Sequence, residues 1–251
     1  MNEMSEALAP PMTFGQRLVG MFTSPVKVFE SLRAHPRFGD ALIFFAIISA
    51  LSYLPMHSII KQESITQMVE QIEGNSNIPD EKKEEIIDGQ KAFMDGPMYL
   101  VTALGGTLIV LPLMMFFWGL MVWLLYAFAA GGDITFKHAM AAVCHLAFLF
   151  AAAGLLKIPL VLAKGSIHVA TSLALLSPDP NPRSVIYSFL DSFDVFSIAI
   201  LAVMAAGMSK MARISTGKSW TMAIILFVIG LGFRVCGAMI GEMFAHMGGG
   251  H

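Results

Sequence analysis

Arg234 is the one charge in an otherwise apolar stretch, residues 219–241. At the centre of a bilayer an arginine costs about 2.5–3.5 kcal/mol on insertion scales. It stands about seven residues from the end of the stretch, hence about 10 Å from the boundary, and snorkelling relieves part of that cost. Asp191 and Asp194 open the preceding apolar stretch, 192–209, and so fall in the same leaflet if the two stretches run antiparallel. Lys157, His57 and Glu242 reach that side at the ends of other stretches. The chemistry available is a polar intramembrane cluster of Arg234, Asp194, Asp191, Lys157 and His57, with Arg234–Asp194 the first pairing expected. It reads either as an ion pair locking two helices or as a site for a lipid headgroup, a proton or a small ion.

Other chemistry-bearing residues form less complete sets. His138 and His145 are seven apart, one above the other on a helix but about 10 Å distant, too far to share a metal unaided. An interfacial His138 and a hydrogen-bonded His145 are expected. Met239, Met243 and Met247 repeat every fourth residue beside Glu242 and His246. Thioethers with imidazole suit copper(I), but with 19 methionines in the chain, packing is the expected role and no metal site is assigned. Ser166 and His168 lie close together without a third member of a triad. HExxH, GxSxG and GxxxxGK[ST] are all missing, so no enzymatic activity and no cofactor are expected. Cys144 and Cys236 sit in apolar runs, outside any CxxC motif, and read as buried thiols.

The elements that must hold these residues follow from composition. Apolar residues make up 56% of the 251 and charged ones only 14%, against about 25% in soluble domains. With 16 basic and 18 acidic residues there is no basic surface for nucleic acid. The expected fold is all-α: a polytopic membrane protein with five transmembrane helices and an N-terminal amphipathic interfacial segment. The spans fall at about 41–60, 103–130, 138–157, 192–209 and 219–241. Residues 98–130 carry no charge and exceed one span, so a kink is expected at Gly105, Gly106 or Pro112. Residues 158–176 are interrupted by Pro159, Lys164 and Gly165 and read as a helix end followed by an interfacial or re-entrant piece, a sixth span being the weaker alternative. SPDPNPR, 177–183, is a loop.

Between the first two spans, residues 61–97 hold 13 charges and form an extramembrane acidic helical loop, with Ile86, Ile87 and Phe93 on a partly apolar side. Residues 1–12 are expected to be disordered; Glu3 and Glu6 without Lys or Arg give no basic start for a cleavable signal peptide. Residues 13–40 form amphipathic cytoplasmic-side helices. Phe14, Leu18, Phe22, Phe29 and Leu32 alternate there with Gln16, Arg17, Lys27, Glu30 and Arg33. Ser24 suits an N-cap and Pro25 the first helical position. The segment lies either in the membrane interface or against the protein's own cytoplasmic loop. Arg17, Lys27, Arg33 and Arg37 before the first span, with Lys210, Arg213 and Lys218 between the last two, put the N-terminus in the cytoplasm and the C-terminus outside.

The string TSPVKVFESLRAHPRFGDAL before the first span resembles the N-terminal signature of bacterial members of the Yip family, the Ypt/Rab-interacting-protein-like membrane proteins. GGDITFKHAMAAVCHLAF resembles their glycine-rich loop and following helix. DSFDVFSIAILAVMAAGM resembles their entry to the fourth span and its exit glycine, here Asp194, Ser197 and Gly207. The resemblance covers most of residues 20–240 and implies a Yip-like five-span membrane domain, 41–245 here. The long hydrophilic N-terminal region of the eukaryotic, Rab-associated relatives is missing, so no Rab-binding role is carried over.

The expected function is a non-catalytic integral membrane scaffold or adaptor that organises the bilayer or partner proteins. A small transporter or channel using the polar cluster is the alternative. The expected partners are the lipid bilayer and other membrane proteins or a second copy of the chain. The expected location is a cell membrane, the bacterial inner membrane.

Overall fold

The computed structural model describes residues 11–179, 181–182 and 184–248, without the side chains of residues 242 and 244–248. The expected disordered start thus lies outside the described residues, apart from Pro11 and Met12, as do the side chains of Glu242, His246 and Met247. The chain is helical, and no strand occurs among the described residues. In order, the helices are α1 (Phe14–Thr23), α2 (Pro25–Ala34), α3 (Gly39–Glu73), α4 (Asp80–Asp95), α5 (Pro97–Trp123), α6 (Phe136–Lys164), α7 (Val185–Leu190), α8 (Val195–Met211) and α9 (Thr216–Gly248).

Four are long and apolar enough to cross a membrane: α3, α5 with its continuation to Ala129, α6, and α9 as far as Gly241. Their outer surfaces are greasy, with Ile109, Leu113, Leu156 and Phe233 all about three-fifths exposed, a pattern suited to lipid rather than water. The expected fourth span appears as α8, a shorter apolar helix of 17 residues, about 25 Å long. Proline does not end these helices. Pro55, Pro112 and Pro159 lie inside α3, α5 and α6. In lipid, neighbouring groups re-satisfy the freed carbonyls and no water competes for them.

Two compact units divide the chain. The first comprises residues 1–48, 110–153 and 196–228. Thr13 caps α1 through a reciprocal pair of bonds with Gln16. Pro25 opens α2, but the Ser24 hydroxyl makes no capping bond, so proline's preset φ rather than a side-chain cap starts that helix. Val28, Phe29 and Leu32 of α2 are completely buried among Met140, Cys144 and Phe148 of α6 and Met204 and Met208 of α8. Each such side chain withdrawn from water contributes about 1.5–3 kcal/mol. Of the two readings of this segment, α2 follows the one in which it packs on the protein: its apolar face lies among helices, and its Arg33 meets the loop before α6.

Arg17, expected on the polar side, is buried and ion-paired with Asp40 at the start of α3. A carboxylate at that helix start compensates the guanidinium, and helical spacing alone does not reveal such a partner. Helix α5 continues through Gly105, Gly106 and Pro112. Its departure from α geometry comes later, in a π turn over Leu124–Ala129. There the Ala130 N–H reaches back five residues to the Leu125 carbonyl, and the Tyr126 hydroxyl donates to the Ser219 carbonyl at 3.0 Å. Cys144 is buried as expected, whereas Cys236 on α9 is exposed because its face of the helix lies outside the packed core.

The second unit comprises residues 49–109, 154–195 and 229–251. Helix α3 does not stop at the expected span end but continues unbroken to Glu73. The acidic loop is therefore a hairpin of this extension and α4. Ile72 and Ile87 are buried, while Ile86 and Phe93 remain exposed. Lys61 bonds to Asp95 at 2.6 Å, and Lys83 reaches Asp80 and the Glu73 carbonyl. That contact holds the Asp80 carboxyl below its ordinary range, by hydrogen bond first and charge second. Helix α6 likewise runs past Lys157 to Lys164, and Gly165, at φ +67°, closes it. The stretch that follows is irregular with one 3-10 turn, Leu173–Leu176, rather than a further span.

Candidate functional site

The polar cluster is built where two loop segments of the second unit run side by side. Ser172 and Asp194 form an isolated antiparallel bridge, and the Leu173 N–H donates to the Phe193 carbonyl at 3.2 Å. This pairing fixes the end of α7, where Asp191 is the C-cap, and the start of α8, which follows Asp194. The Asp191 carboxylate accepts the Ser172 hydroxyl at 2.6 Å with one oxygen and pairs with Arg234 of α9 through the other. Lys157 of α6 stands 3.9 Å from the Asp194 carboxylate. The expected partner of Arg234 was Asp194; the structure pairs Arg234 with Asp191 and places Asp194 by Lys157. The reason is the turn between α7 and α8, which leaves Asp191 at the end of one helix and Asp194 at the start of the next. Tyr187 lies within reach of the same charges. Burial pushes its phenol up, Asp191 adds to this, and Arg234 opposes it.

His57 belongs to a different neighbourhood. Its ring lies between those of Tyr53 and Tyr99, at 5.6 and 5.8 Å, and its buried Nε2 has no hydrogen-bond partner. With Ser58, Lys61, Gln62 and Thr66 it lines a hollow of about 380 Å³ whose wall comes from α3 alone. A groove along a single helix is open at the side and does not by itself make a passage between helices.

The remaining sets can be placed in the same way. Ser166 and His168 acquire a third residue, Glu63 of α3, which accepts the Ser166 hydroxyl at 2.6 Å and the Ile167 N–H at 3.1 Å. His168 stands 3.6 Å from the other Glu63 oxygen. The serine donates to the carboxylate rather than to the imidazole, which is not the serine–imidazole–carboxylate order of a triad, and the set clasps a loop to a helix. Sequence spacing could not show Glu63, which is 103 residues away. His138 accepts the Thr135 N–H at Nδ1, so its Nε2 carries the proton that bonds to the Arg33 carbonyl at 3.0 Å. His145 bonds to the Ala141 carbonyl of its own helix at 2.7 Å. Among the described residues no three His, Cys, Asp or Glu side chains gather as a metal site.

A second polar assembly was not foreseen in the sequence. Arg33 of α2 donates to the carbonyls of Asp133 and Met211 and to the Asp133 carboxylate at 2.7 Å. Asp133 lies in the GGDITF loop before α6, and Met211 ends α8. One guanidinium thus joins the N-terminal hairpin to that loop and to the end of α8.

Comparison with known proteins agrees with this architecture. The model of the Yip1 domain matches residues 19–236. The membrane protein YknW of Bacillus subtilis (strain 168) is 27% identical over 232 residues, which cover 90% of this chain and 91% of that protein. No solved structure matches. The resemblance carried by the TSPVKVFESLRAHPRF, GGDITF and DSFDVFS segments is thereby confirmed: the chain belongs to the Yip family of multi-pass membrane proteins.

Proposed function

We propose that this protein is a non-catalytic scaffold of the membrane, which presents its lipid-exposed helices to partner membrane proteins. The observation that carries this reading is that the charges of the intramembrane cluster are matched. Arg234 is taken up by Asp191 and Lys157 by Asp194, an arrangement suited to locking helices. The topology proposed with it has five spans, a cytoplasmic N-terminus and an external C-terminus in the bacterial inner membrane. Two hydrogen-bonded ends of α8 support the fifth crossing. Its start adjoins Ser172, after α6, and its end lies where the Asp133 N–H, before α6, donates to the Ala212 carbonyl at 3.0 Å.

The test has two arms. Photoreactive residues at Leu113 and Phe116, both exposed on α5, should give discrete cross-linked products in cells. The purified chain in sealed vesicles should conduct no protons, sodium or potassium under an imposed gradient. A small transporter or channel is the second reading, favoured by the partnerless His57 nitrogen beside its hollow. A flux abolished by His57→Ala or Asp191→Asn would establish it and overturn the scaffold.

A further inference from the structure

Helix α1 buries Phe14, Leu18 and Met21 in whole or part, as an amphipathic helix does, but it also buries its charge and exposes two large apolar side chains. Its ten residues, FGQRLVGMFT, carry one charge, and that charge, Arg17, is 2% exposed. Val19 and Phe22 are 61% and 52% exposed. A helix that faces water shows the opposite order. Gly15, Val19 and Phe22 stand at i, i+4 and i+7 on an outward face that carries no charge, with Gln16 and Thr23 at its edge.

The depth of the helix fits this composition. The Phe14 ring packs edge-on against Phe44 of α3 and Phe148 of α6, with centroids 5.4 and 5.9 Å away. Phe148 lies twelve residues into α6, a candidate span, or about 18 Å along it. The other end of the hairpin, Arg33, is tied to the loop at Asp133 and to the end of α8 at Met211. The N-terminus of α1 is therefore alongside span residues, while the hairpin leaves at the loop end. A hollow of about 630 Å³ follows the outward face, lined by Gly15, Gln16, Val19 and Gly20 and, beyond them, by Thr23, Ser24 and Lys27, with Phe22 outside it. Among the described residues the same unit exposes Lys27, Arg37, Lys137, Lys210, Arg213 and Lys218 against Glu30, Asp40 and Asp133, and the last two are already paired with Arg17 and Arg33, a balance that favours an anionic surface.

We propose that α1 forms the wall of a phospholipid site. An acyl chain lies along Gly15 and Val19, within reach of the exposed Phe22, and an anionic headgroup sits at Lys27. The site does not depend on whether the chain scaffolds or transports.

The untouched chain in vesicles of phosphatidylcholine and phosphatidylglycerol tests this first. Phosphatidylglycerol with a photoreactive acyl chain should mark the peptide containing Val19 and Phe22; an unmarked peptide would overturn the proposal. A fluorophore on Phe22→Cys, with Cys236→Ser and the buried Cys144 left in place, should be quenched by acyl-chain nitroxides. One on Glu30→Cys should be quenched by aqueous iodide instead. Iodide quenching at both positions, or shielding of position 22 from both quenchers, would remove the lipid. The second outcome would give the groove to a protein segment. Lys27→Gln should lower the phosphatidylglycerol retained on the purified chain several-fold relative to phosphatidylcholine, and an unchanged ratio would overturn the headgroup assignment.

Discussion

At the scale of single residues, the partner of Arg234 is the feature most open to measurement. Arg234→Ala and Asp191→Ala should each lower the melting temperature in detergent, and the double substitution should cost less than the sum, with a coupling of about 1 kcal/mol. Additive costs would dissolve the pair. Arg33 should prove the larger anchor. Arg33→Ala strips donors from two carbonyls and a carboxylate and should cost about 1–3 kcal/mol, whereas Asp133→Asn leaves the carbonyl bonds in place and should cost less. The Arg33 guanidinium beside Asp133 holds that carboxyl below its ordinary value, by hydrogen bond first and charge second. A lowered folded-state pKa means the contribution is present above the unfolded value, near pH 3.9, and is lost as pH falls through the folded one. The gap in melting temperature between the parent and Asp133→Asn should therefore close on acidification below that range, and a gap constant with pH would deny the linkage. The sequence made the charges at 191, 194 and 234 legible because they interrupt apolar runs. It could not say which carboxylate meets which cation, since only two residues separate Asp191 from Asp194 and the turn they form decides.

At the scale of elements, the contact of α2 with α8 turns on Gly207. A β-carbon there would run into the Phe29 ring, whereas at Gly237 on α9 it would meet nothing within 4 Å. Alanine normally stabilises a helix interior over glycine by about 0.5–1 kcal/mol, so Gly237→Ala should be neutral or mildly stabilising. Gly207→Ala should instead cost about 1–3 kcal/mol through overpacking. Melting curves would show the opposite signs, and Phe29→Leu should relieve part of the Gly207→Ala loss. A stabilising Gly207→Ala would deny the close approach. The apolar runs behind α3, α5, α6 and α9 could be read from composition because lipid selects residue type more strictly than water does. The ends of these helices could not: α3 continues to Glu73 and α6 to Lys164 through polar residues and proline that helix packing tolerates. Arg17 was misplaced for a related reason. Helical periodicity sends a charge outward unless a partner is known, and Asp40 lies 23 residues on.

At the scale of the whole molecule, topology and order of assembly remain to be measured. Single cysteines replacing Asn75 and Thr216, with Cys236 replaced, should react with a membrane-impermeant thiol reagent from opposite sides if α8 crosses, and from the same side if it does not. Assembly has a timetable of its own. The N-terminal hairpin is synthesised before the spans, and although Asp40 soon follows for Arg17, the other groups that seat it come late: Phe148 for Phe14, Gly207 for Phe29 and Met211 for Arg33. The last of these lies 178 residues downstream. At a synthesis rate of about 5–20 residues per second, the interval between making Arg33 and making its acceptor is roughly 9–36 s. Throughout that interval α1 and α2 wait without most of their final partners, so helices made early are among the last to be locked in place.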